Sequence, residues 1–167
     1  WTMDFDEAGV MVQVNWSDEF RRMIGYHGKD DFPDRLASWS DLLHPDDREH
    51  VLKEFNETIS DYTGKKTYDV EYRLLTKNRG YRWYRAVGKP IRRPDGTPIT
   101  YIGVFIDVTE QKKMMQELAQ QRESLSIALE EANQANKAKT AFLSSISAAM
   151  SMASPMACAV KGGSQGS

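Results

Sequence analysis

Between Thr109 and Ser147 the chain has no glycine and no proline, and Phe142 is the single aromatic residue. The stretch lacks the two residues that cost a helix interior most, about 1 kcal/mol for glycine and about 3 for proline. It also lacks the bulky side chains needed to build a core. It can form one long helix that must find its packing partner elsewhere. Positions alternately three and four apart carry Met115, Leu118, Arg122, Leu125, Leu129, Ala132, Asn136, Lys139, Leu143 and Ile146. This 3–4 alternation is the repeat of a coiled-coil seam. Arg122, Asn136 and Lys139 weaken the seam. A buried Asn at such a position sets register and dimer state at a cost in stability. A solvated single helix with chance leucines is the plainer alternative. The expected arrangement is a parallel homodimer, with a rod of about 57 Å over 110–147 at about 1.5 Å per residue.

Residues 1–108 have the opposite character. They hold all four tryptophans, all seven tyrosines and five of the six phenylalanines, enough to bury a core. The words "WTMDFD" and "VMVQVNW" flank the turn signal Glu7-Ala8-Gly9 and predict a hairpin. Ser17 then opens a first helix as N-cap, with acids in its first turn. Residues 31–44 read as irregular, anchored by Pro33, Trp39, Leu42 and Leu43. A second helix starts at Pro45 and stops by Gly64, its apolar face being Val51, Leu52, Phe55, Ile59 and Tyr62. Three strands follow, separated by turns ending at Gly80 and Gly96. Strands joined by tight turns predict an α+β fold, an antiparallel five-stranded sheet with helices on one face.

A net charge of -2 gives no concentrated positive face for nucleic acid. No apolar run approaches the roughly 20 residues of a membrane span. No leader pattern opens the chain, which begins within a strand and reads as a fragment of a larger, cytoplasmic protein whose parent could be anchored upstream. Its one cysteine, Cys158, allows no disulfide framework and no cysteine-based metal site.

The order of these words resembles the PAS sensory domain. The resemblance is carried by Trp1 and Asp4, "VNWSDEFRRMIGY" at 14–26, "WSDLLHPDDREHVL" at 39–52, "EYRLLTKNRGYRWYR" at 71–85 and "RRPDGTPITYIGVFIDVTEQKK" at 92–113. It covers roughly 1–113 and implies a PAS fold over 1–108. It implies a cavity between sheet and helices, for which Val51, Phe55, Ile59, Tyr72, Trp83, Tyr101 and Phe105 are the candidates. It further implies that Asp107, Thr109 and Glu110 clamp the departing helix. Thr109 is a reasonable N-cap for that helix. Members of the family bind small ligands or simply dimerise and transmit.

No cofactor is expected. In haem-binding relatives an axial histidine points inward from the helix over 45–62. His50 lies about 100° round from the apolar face, beside Glu54, Glu57 and Asp61. Val51, which faces inward, cannot ligate iron. His44 reads as a helix-entry residue, and His27, His44 and His50 do not form a metal-ligand spacing. Covalent flavin photochemistry is excluded because no cysteine precedes Cys158. A non-covalent small ligand, flavin included, remains compatible with the aromatic content.

"NKAKTAFLSSIS" at 136–147 resembles the segment before the phosphoacceptor histidine of sensor histidine kinases. There an imidazole attacks the γ-phosphate of ATP and a neighbouring acid accepts its proton. Here the histidine slot holds Ala148, the acid slot Ala149 and the arginine slot Ser151. The stretch 148–167 is an atypical tail, ending in a Gly/Ser-rich run, and is expected to be disordered. The expectation is therefore a non-enzymatic input module, with its signalling helix over 109–147, from a two-component sensor histidine kinase. A ligand-free dimerisation module and the input domain of a diguanylate cyclase are the alternatives; the Asp-x-Leu-Thr-Gly-Leu word of a cyclase is absent.

Overall fold

The computed structural model describes residues 1–153. Two strands open the chain, β1 (Thr2–Phe5) and β2 (Met11–Asn15). Four helices follow, α1 (Asp18–Ile24), α2 (Gly28–Asp31), α3 (Leu36–Ser40) and α4 (Pro45–Ser60). Then come β3 (Tyr68–Thr76), β4 (Gly80–Arg92), β5 (Pro98–Asp107) and the helix α5 (Thr109–Ala153). The five strands make one antiparallel sheet in the order β2-β1-β5-β4-β3.

This is the PAS fold expected from the words of the sequence. The segment expected to be irregular, 31–44, contains the short helix α3, and the one-turn helix α2 ends at its first residue. The helix begun at Pro45 ends at Ser60, so Tyr62 leaves the predicted apolar face and is 55% exposed. The Asp61 carboxylate accepts the backbone N–H of Thr63 at 3.1 Å and of Lys66 at 2.6 Å, which turns the chain out of the helix.

Local chemistry explains the elements. Ser17 Oγ accepts the N–H of Phe20 at 3.1 Å and caps α1, whose end is set by Gly25 at φ 91°. Strand β3 alternates buried and exposed along its length, burying Tyr68, Val70, Tyr72, Leu74 and Thr76 on one face. Tyr68 of this face meets Phe55 of α4 edge-on at 5.9 Å, and the core is rich in rings. Phe55 stacks on Tyr101 with centroids 5.6 Å apart, and Phe105 stacks on Tyr84 at 4.6 Å.

Arg21 of α1 is 1% exposed and anchors the α2–α3 region. Its guanidinium donates to Phe32 O at 3.0 Å, to Trp16 O at 2.6 Å and to Asp34 at 2.5 Å. A buried cation with every bond directed is the arrangement in which its desolvation is offset.

Compactness divides the chain into Trp1–Met114 and a second unit that begins at Met115. No helix among the described residues is long and apolar enough to cross a membrane.

Candidate functional site

Two places in the domain could carry function: the space between sheet and helices, and the start of α5. The first is nearly closed. Phe55, Tyr72 and Phe105 of the predicted set wall a gap of about 10 Å³, together with Trp1, Met3, Trp16, Trp39, Tyr68 and Ala86. That is room for about one water, against the roughly 300–1,000 Å³ of a small-molecule site. Val51 and Tyr101 are buried but stand outside the wall of this gap, and Ile59 is partly buried at the edge of the core.

The hydroxyls on this face are unevenly satisfied. Trp39 Nε1 donates to Tyr72 OH at 2.9 Å. The hydroxyls of Tyr68 and Tyr101 are buried with no hydrogen-bond partner. Burial raises the pKa of Tyr68, Tyr72 and Tyr101, so all three stay neutral phenols. Tyr84 is pushed up to about 12, again chiefly by burial.

Trp83 does not join them. Side chains alternate across a strand, and Tyr84 is the residue of β4 that points inward. Trp83 lies on the opposite face, at the root of α5. The guanidinium of Arg73 sits 5.3 Å from its ring centroid and the ammonium of Lys112 sits 5.0 Å from it. Arg73 is held by Asp47 of α4 through bonds of 2.8 and 2.6 Å, and Asp47 also takes the Arg73 backbone N–H at 2.9 Å. Lys112 pairs with Glu71. One indole thus joins the N-terminus of α4 to the first turn of α5.

The junction residues make a second set of ties to β4. Thr109 does not cap α5 as predicted. Its hydroxyl accepts the Trp83 N–H at 3.0 Å and lies 3.3 Å from Trp83 O, so it extends the β4 ladder. The freed Thr109 N–H goes to Asp107 Oδ1 at 3.0 Å, and Asp107 also accepts Arg82 Nε at 3.0 Å. Arg82 reaches Glu110 at 3.8 Å. Desolvation pushes the Asp107 pKa up, but the bonds from Thr109 and Arg82 outweigh it and leave the carboxyl below its ordinary value.

The histidines serve other ends. His44 Nδ1 accepts the Asp46 N–H at 3.2 Å and caps α4, the helix-entry position. His50 is exposed on α4. His27 precedes α2, its N–H bonded to Asp31 at 2.9 Å. Among the described residues no group of three metal-binding side chains exists.

The seam residues of α5 lie open in the single chain. Met115 is 62% exposed, Leu118 52%, Leu125 70%, Leu129 63%, Leu143 54% and Ile146 40%; Ala132 and Asn136 are exposed too. The helix continues through Ala148 and Ala149 to Ala153, beyond the boundary drawn at Ser147. The rest of the predicted disordered tail, with Pro155, Met156 and Cys158, falls outside the described residues.

The sheet order, the packed inner face and the clamped exit helix define the class: a sensory domain of the PAS fold. The PAS_3 family model, a PAS fold, matches residues 13–105, and the chain belongs to that family. It is 32% identical over 101 residues to the sensor protein FixL of Bradyrhizobium diazoefficiens, an alignment covering 60% of this chain and 19% of that protein. It is 27% identical over 97 residues to the probable diguanylate cyclase DgcE of Escherichia coli, covering 58% of this chain and 8% of that one. Among solved structures it resembles a sensory box histidine kinase/response regulator from Burkholderia thailandensis with TM-score 0.54 and 28% identity, over 74% of this chain and 88% of the other. The chain spans 19% and 8% of the lengths of the two curated relatives.

Sequence reasoning missed Trp1, Trp16, Trp39 and Tyr68 in the wall, and Arg73, Asp47 and Lys112 around Trp83. Trp1 carried a signal: it shares strand parity with Met3 and Phe5, which are both buried. The cation pair around Trp83 carried none, because it joins three separate elements.

Proposed function

We propose that the chain is the sensory input module of a two-component sensor histidine kinase and relays its signal through α5 as a parallel homodimer. The carrying observation is the clamp at the root of α5, where Trp83, Arg82, Thr109 and Asp107 tie a helix with an unburied apolar seam to the sheet. A displacement of β4 against α4 then moves the first turn of the helix, and a coiled coil can pass on such a shift as rotation or a change of register. The exposed outer stripe of Ile102, Val104 and Ile106 on β5 supports self-association of the domain as well. The relay does no chemistry of its own, since alanine fills the phosphoacceptor and acid slots at 148 and 149.

The segment at 136–147 favours a kinase as the effector. An input role for a diguanylate cyclase is the second reading, favoured by the likeness to DgcE. The test is cysteine cross-linking in a Cys158→Ser background. Leu125→Cys, in the seam, forms a covalent dimer on oxidation, while Gln120→Cys, on the opposite side of the helix, does not. Equal cross-linking of the two refutes the parallel seam.

A further inference from the structure

The inner face of the sheet has a bare floor, and the chain's own indole lies on it. Trp1 N donates to Gly103 O at 3.1 Å and Gly103 N donates to Trp1 O at 3.1 Å, so the two residues form a hydrogen-bonded antiparallel pair. Their side-chain positions therefore face the same way. Gly103 is also paired with Gly88 of β4. Two glycines side by side on neighbouring strands leave a patch of backbone with no side chain above it. A Cβ on Gly88 would come within 2.9 Å of two indole carbons, and one on Gly103 would run into the ring itself. Neither glycine has a positive φ, so the backbone does not require glycine there. What requires it is the flat ring.

That ring stands between two spaces. On its inner side is the gap of about 10 Å³ walled by Tyr68, whose hydroxyl is buried without a partner. On its outer side is a groove of about 280 Å³ with Ser17, Phe20, Met23 and Val104 in its walls. Trp1 and Phe105 belong to both walls. Trp1 is itself only partly buried, and its ring meets Tyr101 edge-on at 4.9 Å.

We propose that Trp1 is a displaceable plug: its indole occupies a site for a flat, bicyclic aromatic ligand and swings into the outer groove when such a ligand takes its place. Withdrawing the ring into the groove leaves free its own volume together with the inner gap, a space that fits one ligand of about the size of an indole. The glycine floor selects for flatness, the aromatic edges select for a π-system, and the Tyr68 hydroxyl offers one hydrogen bond to a polar atom of the ligand. Because the free protein holds the plug in, ligand affinity is reduced by the fraction of molecules with the ring out. Ligand entry is thereby coupled to Trp1 and, through its pairing with Gly103, to β5, the strand that leads into α5. The inference rests on the sensory reading above. Its test reads ligand binding, which the seam cross-linking does not.

Indole is the probe. Titration calorimetry on the Trp1→Ala protein is expected to give at least about tenfold tighter indole binding than wild type, the plug contributing on the order of 1.4 kcal/mol. Adding Gly103→Val to Trp1→Ala fills the floor and abolishes binding. In wild-type protein labelled with 5-fluorotryptophan, saturating indole moves the Trp1 resonance, assigned by its absence in Trp1→Phe, to a solvent-exposed shift. If Trp1→Ala does not fold, the Trp1→Phe protein, with a smaller ring, takes its place and binds indole more tightly than wild type. Equal indole affinity with and without the Trp1 ring, no binding by either variant, or wild-type binding with an unmoved Trp1 resonance would each overturn the proposal.

Discussion

Val51 and Leu74 in the domain are 0% exposed, while Leu125 and Leu129 in the helix are 70% and 63% exposed. The same kinds of side chain are finished in one region and unfinished in the other. The domain covers the inner face of its sheet by itself, with rings closing the inner space almost to zero. The helix has a row of apolar residues that nothing among the described residues covers. The difference teaches where the information flows. A packed core is bistable rather than soft, and in the proposed dimer a seam completed by a second chain is the part that can register a small change at its root.

The largest effect should come from striking the unfinished region. Replacing Leu125 and Leu129 with aspartate removes four buried side chains from a dimer, each worth about 1.5–3 kcal/mol, and brings like charges together. Sedimentation velocity should show a monomer, while the near-ultraviolet circular dichroism of the domain is unchanged. Loss of the domain signal as well would mean that the two regions are not independent. Next in size is a strike at the finished region. Phe55→Ala opens a hole between α4 and the sheet and should cost about 3–5 kcal/mol in urea unfolding. A cost below about 1 kcal/mol would show a core looser than its geometry.

The tie between the regions should respond to acid. Arg73 hydrogen bonds hold the Asp47 carboxyl below its ordinary value of 3.8 in spite of desolvation. A depressed folded pKa means the folded state binds fewer protons than the unfolded one, so its contribution is complete above 3.8 and fades as pH falls through the depressed value. Asp47→Asn should cost about 1.5–3 kcal/mol at neutral pH, the worth of hydrogen bonds to a charged group. It should also flatten the acid limb of stability below pH of about 4. An unchanged acid limb would shift the credit to Asp107, whose pKa is also lowered.

Much of this was legible in the chain before any coordinates. Turns that need positive φ at Gly80 and Gly96 separated β3, β4 and β5, and the absence of Gly and Pro announced α5. The one-turn helices α2 and α3 were not legible because a single turn shows no periodicity. At the site, Phe55 followed from helix spacing, while Tyr72 and Trp83 were both candidates as aromatic residues of the strands. Trp83 was chosen for its aromatic ring alone, whereas the alternation that buries Tyr84 excludes it from the cavity. The volume of the gap was not readable at all. It depends on how rings from β1, α3, α4 and β3 interdigitate, and no local pattern encodes that.

The smallest predicted effect lies at the boundary itself. The Thr109 hydroxyl accepts the Trp83 N–H at 3.0 Å, and Thr109 is the one buried residue of α5. Thr109→Val keeps the shape and removes the oxygen, leaving the Trp83 N–H without its acceptor, and should cost about 0.5–1.5 kcal/mol. Thr109→Ser should restore it. The sharper reading is local: hydrogen exchange of the Trp83 amide should quicken in the valine variant and recover in the serine one, with the amides of α4 unaffected. If exchange quickens equally along α5 beyond Met115, the helix depends on this clamp throughout its length. If only the first turn responds, the clamp sets the position of the helix, and the seam keeps it folded.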